Sequence, residues 1–227
     1  MSERKVIGIT GTMGSGKSMA KEILSAWIPV TDCDQINARL LEKDQAGYAA
    51  LNDAGLLCTD EEGNVDRKAM ADQMFDHPGQ RKKMEAILHP LIIEELKQWI
   101  DAQTSLCAAE VPLLFECSLQ NLFDEVWTIT CSDQTALDRL GKYRHIPAEE
   151  ARRRLALQFP AEKKMAQSTH VLPNDGTKEE LAAQIEALLP DSVCLACSFT
   201  QDQPASAPNL AKPANPGKTN AKAGEIK

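Results

Sequence analysis

The clearest chemical pattern in the sequence lies between Gly11 and Ser18, where eight residues satisfy GxxxxGK[ST]. Glycines in such a loop let the backbone turn its N–H groups inward on an anion, and the lysine, here Lys17, reaches the β- and γ-phosphates of a nucleotide. The hydroxyl of Ser18 stands at the position of this motif that coordinates Mg²⁺. The strand-like run Val6–Thr10 precedes the loop, and helix-like sequence follows it. We therefore expect a nucleoside triphosphate to bind at Gly11, Thr12, Met13, Gly14, Ser15, Gly16, Lys17 and Ser18.

A phosphate loop fixes the nucleotide but not the reaction. GTPases read their base through a tetrapeptide such as NKxD, which the sequence lacks, and the DxxG match at Asp60–Gly63 lies in a helix-rich stretch. The LSGGQ-like signature of a transporter ATPase is also absent. By elimination the sequence favours a small kinase, whose acceptor could be a nucleoside, a nucleotide or another small hydroxyl compound.

Three carboxylates lie at the ends of two predicted strands, outside which parallel α/β sheets bind their ligands. Asp32 ends the run Pro29–Asp32, and Asp34 follows it by two residues. Glu110 lies near the end of the run Cys107–Val111. If the chain stays extended, Asp32 and Asp34 point to the same side, about 6.6 Å apart. Asp34 could instead cap the helix that follows, and Glu110 could hold Mg²⁺ through water or simply end its strand.

Short β-branched runs alternate with longer amphipathic runs over most of the chain. The predicted strands are Val6–Thr10, Pro29–Asp32, Cys107–Val111, Glu125–Thr130 and Thr169–Leu172. The predicted helices are Lys17–Ala26, Gln35–Leu41, Arg67–Phe75, Gln80–Thr104, Asp133–Tyr143, Pro147–Leu157 and Lys178–Leu189. Strands that alternate with helices indicate an α/β fold, with a parallel sheet covered on both faces.

One long region interrupts this alternation. Residues 42–104 read as helical without a strand, which predicts a helical insert. The core is then expected to consist of residues 1–41 and 105–190.

A lid is predicted at about 133–165, where two helices are rich in Arg and Lys on an otherwise acidic protein. Arg144 and Lys164 are among these basic residues. A basic helix is typical of a solvated surface. The alternative is a movable cationic flap over phosphates.

Composition limits the class of protein. The 227 residues carry 25 Lys and Arg against 33 Asp and Glu, a net charge of −8. An acidic chain argues against a protein that coats nucleic acid or lies on an anionic membrane. No apolar run approaches the roughly 20 residues of a membrane span, and the seven cysteines lie mostly in apolar stretches, as in a reducing compartment. We expect a cytoplasmic protein without nucleic-acid or membrane partners, and a disordered tail at 198–227.

Further motifs, in order along the chain, are similar to those of the dephospho-coenzyme A kinase family. They are Thr10–Ser18 for TGxxGSGKS, Asp32–Asp34 for D-A-D, Gly63–Arg67 for G-x-[IV]-D-R, Leu88–Pro90 for LHP, Pro112–Glu116 for PLLFE, Gln134 with Arg139–Leu140 for Q-x4-RL, Gln158 in the second lid helix, and Asn174 after the last strand. The resemblance covers about Val6–Leu189.

The resemblance implies a P-loop kinase fold with five parallel strands, a helical coenzyme A-binding insert and an arginine-bearing lid. It also implies that ATP phosphorylates the 3′-hydroxyl of the ribose of dephospho-coenzyme A, with Asp34 as general base. Lys17, Mg²⁺ and lid arginines should then neutralise the phosphate charge. The expected ligands are Asp32, Arg67, His89 and Glu116 for the acceptor, Ser18 and Glu110 for Mg²⁺, and Met19 and Asn174 in addition to the P-loop for ATP. His89 could instead be a turn residue before Pro90, and we expect a monomer or weak homo-oligomer.

The lid departs from the family's pattern. Alignment on Arg139–Leu140 puts Tyr143 where the lid arginine is usual, with Arg144 one place later. One residue turns a helical side chain by about 100°. We expect Arg144 to take the role through a local rearrangement, although Arg139 or Lys142 could replace it, or the lid could be weakened.

Two smaller departures lie elsewhere. Ser168-Thr169 stands where the family has Ala-Asp, and Met19 stands where a threonine is common. Tyr143 and the added tail leave open an ATP-binding module that acts through partners with weakened turnover. The intact P-loop and Asp34 favour an active enzyme.

Overall fold

The computed structural model describes residues 4–190, and the tail predicted at 198–227 lies outside these described residues. The strands are β1 Val6–Gly11, β2 Val30–Asp32, β3 Cys107–Glu110, β4 Glu125–Thr130 and β5 His170–Pro173. The helices are α1 Lys17–Ser25, α2 Cys33–Leu40, α3 Ala46–Asp53, α4 Arg67–Asp76, α5 Pro78–Asp101, α6 Asp133–Arg144, α7 Ala148–Leu155, α8 Ala161–Met165 and α9 Lys178–Glu186. A short 3-10 helix at Gln120–Leu122 leads into β4.

The described strands form one parallel sheet in the order β2-β3-β1-β4-β5. This order confirms the predicted α/β sheet. β1 is the central strand, and the loop that follows it therefore leaves the middle of the sheet. Asp32 at the end of β2 lies in register with Glu110 at the end of β3. The sheet thus brings the phosphate loop and two predicted carboxylates to the same edge.

An apolar core lies against each face of the sheet, which explains the apolar character of its strands. On one face Ile9 packs in a core with Leu181 of α9. On the other face Ala109 packs in a second core with Leu96 of α5. The two helical layers hold the sheet between them, and β1 is buried along its whole length.

Residues 42–104 contain α3, α4 and α5, and no strand of the sheet. Leu51 and Met84 belong to a separate hydrophobic core within this region. Further along α5, Leu96 and Ile100 belong instead to the core beneath the sheet. A single helix of 24 residues therefore connects the two cores.

The lid differs from the prediction in two respects. Residues 133–165 form three helices, because α8 begins as a separate helix after Pro160. Lys164, which the sequence placed on a basic surface, has no exposed area. The prediction also gave no separate bounds for α3 and α8, which have 8 and 5 residues.

Candidate active site

The P-loop leaves β1 and enters α1, as the motif predicts. Gly16 has a φ of 98°, and a Cβ at this position would lie 2.0 Å from Nδ2 of Asn174. That amide, on a buried side chain just after β5, donates to the carbonyl oxygen of Ser15 over 2.8 Å. Only glycine fits here, because both the left-handed backbone and the approach of Asn174 exclude a side chain.

Lys17 is buried at the start of α1, and its Nζ donates to the carbonyl oxygen of Thr12 over 2.9 Å. Burial lowers the pKa of Lys17 from 10.5 to about 8, although the charge of Glu110 acts in the opposite direction. The P-loop therefore contains a cation that an anionic ligand would stabilise.

The two aspartates at the junction of β2 and α2 do not have the predicted arrangement. Asp32 is the N-cap of α2, and its side chain accepts from the backbone N–H groups of Asp34 at 2.7 Å and Gln35 at 3.4 Å. Asp34 lies in the first turn of α2. The extended Asp32–Asp34 pair and the capping role of Asp34 were therefore both wrong, because Asp32 starts the helix two residues earlier.

Asp34 has the titration behaviour of a candidate base. Burial, and then the neighbouring charge of Asp32, raise the pKa of Asp34 above its usual 3.8. Lys17 and Arg144 act in the opposite direction. A raised pKa brings a carboxylate closer to the range in which it accepts a proton effectively.

A lysine that the sequence analysis missed lies between two of the acidic residues. Lys21 forms an ion pair with Asp32, and its Nζ lies 3.5 Å from Oε2 of Glu110. Oε1 of the buried Glu110 accepts from the hydroxyl of Ser18 over 3.3 Å. Helical spacing could have found Lys21, because it lies four residues after Lys17, on the same face of α1.

A cavity of about 480 Å³ opens above the P-loop. Its lining includes Lys17, Ser18, Met19, Asp34, Glu110 and Gln158. The structure thus brings the predicted phosphate ligands together with the predicted base and both predicted metal ligands.

The lid contributes cationic side chains to this cavity. α6 ends at Arg144, and His145 takes a left-handed φ of 53°. Arg144 and Tyr143 both line the cavity, and Nη1 of Arg139 lies 3.5 Å from the carbonyl oxygen of Ser15. Of the two basic residues next to Tyr143, Arg144 therefore reaches the site.

A second cavity of about 280 Å³ lies beside the first and has a mainly apolar lining. His89 lines it from the middle of α5, so the alternative of a turn residue was wrong. Its Nδ1 lies 3.8 Å from Sγ of Cys117, another lining residue. Asp34 and Pro112 line both cavities, and the two cavities therefore adjoin at Asp34.

Three predicted acceptor ligands, Asp32, Arg67 and Glu116, lie outside the lining of these cavities. Arg67 is the exposed first residue of α4. Glu116 is held by the buried Lys164, whose Nζ lies 2.8 Å from its Oε1, and by the N–H of Phe159 at 2.9 Å. Glu116 thus contacts the lid.

The family model described as dephospho-CoA kinase matches residues 5–180. The chain belongs to the dephospho-CoA kinase family. This membership confirms the resemblance inferred from the motifs and the predicted activity, the ATP-dependent phosphorylation of dephospho-CoA in coenzyme A biosynthesis. The alternatives of a nucleoside kinase and of a weakened ATP-binding module are not supported.

Similar sequences support this family membership, since they are themselves dephospho-CoA kinases. The dephospho-CoA kinase of Staphylococcus aureus strain RF122 is 38% identical over 190 residues, which cover 82% of this chain and 92% of the relative. That of Staphylococcus haemolyticus is 36% identical over 195 residues, covering 82% and 95%.

Solved structures support the fold. A protein from Thermus thermophilus is similar with a TM-score of 0.67 and 27% identity, covering 89% of this chain and all of that one. The dephospho-CoA kinase of Campylobacter jejuni, at 20% identity, has a TM-score of 0.57 and covers 82% and 95%. Within residues 4–190, no helix of this family member is long and apolar enough to cross a bilayer.

Proposed function

We propose that the enzyme transfers the γ-phosphoryl group of ATP to the 3′-hydroxyl of the ribose of dephospho-CoA where the two cavities adjoin, with Asp34 as general base. The observation that carries this proposal is the position of Asp34, which lines both cavities. ATP would occupy the cavity above the P-loop, and the acceptor the apolar one. A base between donor and acceptor removes the hydroxyl proton as the oxygen attacks phosphorus.

In this proposal, cationic side chains of the P-loop and the lid neutralise the charge of the phosphates. Lys17 would leave the carbonyl oxygen of Thr12 and contact the transferring phosphate, which raises its pKa and keeps it charged. Arg144 would approach the same phosphate oxygens from the end of α6. Both groups act on charge that spreads over the phosphoryl oxygens in the transition state.

The residues near Ser18 fit a magnesium ion. The described residues contain no cluster of three or more His, Cys, Asp or Glu for a metal, but Mg²⁺ in kinases takes one or two protein oxygens together with phosphate oxygens and water. Oε2 of Glu110 is buried and makes no hydrogen bond, although Lys21 is near. We propose that Ser18 and Glu110 hold the ion, which when bound neutralises phosphate charge. Asp32, paired with Lys21, would support this carboxylate group.

The acceptor is proposed to lie along α5. The apolar lining of the second cavity suits the pantetheine arm, and His89 would offer a ring nitrogen to the polar part of the ligand. On this basis we propose that residues 42–104 form the acceptor-binding insert. Asp32, Arg67 and Glu116 lie outside both cavities. The free thiols of the described cysteines are typical of a reducing compartment, and we propose the cytoplasm.

Substitution of Asp34 by Asn tests the proposed base. The amide cannot accept the proton, so kcat is expected to fall by about 100- to 10,000-fold, while the Kd for ATP stays within a factor of about two. Asp53→Asn, on an exposed position of α3, is the matched control and should keep the wild-type kcat. Rapid-quench assays with dephospho-CoA and calorimetric titration with ATP measure the two quantities. If Asp34→Asn keeps the wild-type kcat, Asp34 is not the base.

A further inference from the structure

One amide of the P-loop is occupied by a side chain from the lid. The backbone N–H of Met13 donates to Oε1 of Gln158 over 2.9 Å. Met13 is the third residue of the loop whose N–H groups form the cradle for phosphates. Gln158 therefore accepts the kind of hydrogen bond that a phosphate oxygen would accept when ATP is bound.

The segment that carries Gln158 is fixed to the core on its other side. Phe159, the next residue, donates its N–H to Oε1 of Glu116 over 2.9 Å. Lys164 has no exposed area, and its Nζ donates to Glu116 and, over 3.0 Å, to the carbonyl oxygen of Pro112. These hydrogen bonds join Phe159 and Lys164 to the segment that follows β3, and breaking the buried ion pair would leave an uncompensated charge. Gln158 is thus held at the P-loop rather than lying there by chance.

The amide of glutamine has the chemistry to serve both states of the loop. Its Oε1 accepts hydrogen bonds, and its Nε2 carries two donors. Rotation about its last side-chain bond exchanges the two groups without moving the backbone. Gln158 also lines the cavity that contains Lys17 and Ser18, so its donors can reach a triphosphate there.

We propose that Gln158 is a phosphate ligand of the reaction, whose Oε1 accepts from Met13 in the ATP-free enzyme and whose Nε2 donates to an ATP phosphate oxygen in the loaded enzyme. The inference rests on the proposed function, because it takes the P-loop as the ATP site. When the amide of Gln158 rotates, the N–H of Met13 becomes free to donate to an ATP phosphate oxygen. The Nε2 of Gln158 then supplies a second donor to the phosphates. Glu116 and Lys164 act as positioning residues for Gln158 and do not touch the substrate.

Two substitutions separate the two roles of the amide. Gln158→Glu keeps an acceptor for Met13 but removes both donors and adds a negative charge beside the phosphates. Gln158→Leu keeps a similar size and removes both roles. Gln167→Glu, on an exposed position after α8, makes the same change of charge outside the site and is the matched control.

The measurements are the thermal midpoint with and without Mg·ATP, the Kd for ATP, and kcat with dephospho-CoA. Without ATP, Gln158→Glu should melt at the wild-type temperature, because its acceptor is kept. With ATP, the wild type and Gln167→Glu should gain stability by mass action. Gln158→Glu should lose most of that gain and bind ATP at least tenfold more weakly. Gln158→Leu should lose about tenfold or more in kcat, as expected for one hydrogen bond to a charged group.

A different result would identify Gln158 as a simple obstruction of the empty loop. In that case Gln158→Leu would bind ATP more tightly than the wild type with kcat unchanged, and this overturns the inference alone. Wild-type affinity for ATP in Gln158→Glu also overturns it, and Gln158→Glu carries the test if Gln158→Leu does not fold. If the wild-type protein neither gains stability from Mg·ATP nor phosphorylates dephospho-CoA, the proposed function fails and the inference fails with it.

Discussion

At the scale of single residues, Lys17 shows how burial and function are linked. Its Nζ is buried and charged only below a pKa of about 8. The proton is present at pH 7 and is lost as the pH rises through this value. ATP should raise the pKa again, because a phosphate near the ammonium group favours its charged form. As the pH rises, Lys17 should therefore lose its proton at a lower pH in the free enzyme than in the ATP complex.

The pH dependence of ATP binding tests this behaviour of Lys17. Between pH 7 and pH 9 the Kd for Mg·ATP should rise by about tenfold, since at pH 9 only about a tenth of the free enzyme keeps the proton on Lys17. kcat at saturating ATP should change much less over the same range. Titration calorimetry at constant ionic strength measures the Kd. Lys17→Met, which has no proton to lose, should bind Mg·ATP weakly at both pH 7 and pH 9. If the Kd of this variant rises with pH as much as that of the wild type, another group causes the effect.

The residues of the site differ in how far the sequence predicts them. The positions of the P-loop and of Asp34 at the site were predictable, because a contiguous motif marks the loop and Asp34 closely follows a predicted strand. Lys21 was missed, although its spacing from Lys17 on α1 was visible. The contact of Gln158 with Met13 was not predictable, because it joins residues 145 apart that only the folded lid brings together. Local pattern thus identifies the loop, whereas tertiary structure decides which side chains reach it.

At the scale of elements, the junction between α8 and the loop after β3 depends on one buried ion pair. Lys164 has no exposed side-chain area, and Glu116 is 14% exposed. Desolvation makes such a pair a weak source of stability, but removal of one partner leaves a buried charge. Sequence alone left Lys164 either on a solvated face or in a cationic flap, because a five-residue helix gives too little periodicity to show its buried side.

Substitution of Lys164 by Met tests this ion pair. The unpaired Glu116 should lower the free energy of unfolding by about 3–5 kcal/mol, measured by urea denaturation. Adding Glu116→Leu to Lys164→Met should recover part of this loss, since the buried charge is then removed. Arg81→Met, which breaks the more exposed pair with Glu85 on α5, should cost no more than about 1 kcal/mol. Equal losses in Lys164→Met and Arg81→Met would contradict a special role of the buried pair.

At the scale of the whole molecule, α5 belongs to two hydrophobic cores. Met84 and Leu88 pack in the core of residues 42–104, and Leu96 and Ile100 pack beneath the sheet. The sequence predicted the parallel sheet and the insert, because their periodicities differ. It also predicted one continuous helix, Gln80–Thr104, across Pro90, but nothing in the pattern of this helix marks where one core ends and the other begins.

This arrangement predicts that a cavity in the insert core affects the acceptor more than ATP. Met84 is fully buried, so Met84→Ala should lower the free energy of unfolding by about 2–5 kcal/mol. The same change should loosen the part of α5 that carries His89, so the KM for dephospho-CoA should rise while the Kd for ATP stays unchanged. Leu181→Ala creates a comparable cavity on the other face of the sheet, away from α5, and should lose stability without this selective effect on the acceptor. If both variants raise the KM for dephospho-CoA equally, loss of stability alone explains the effect, and α5 does not connect the insert core to the acceptor site.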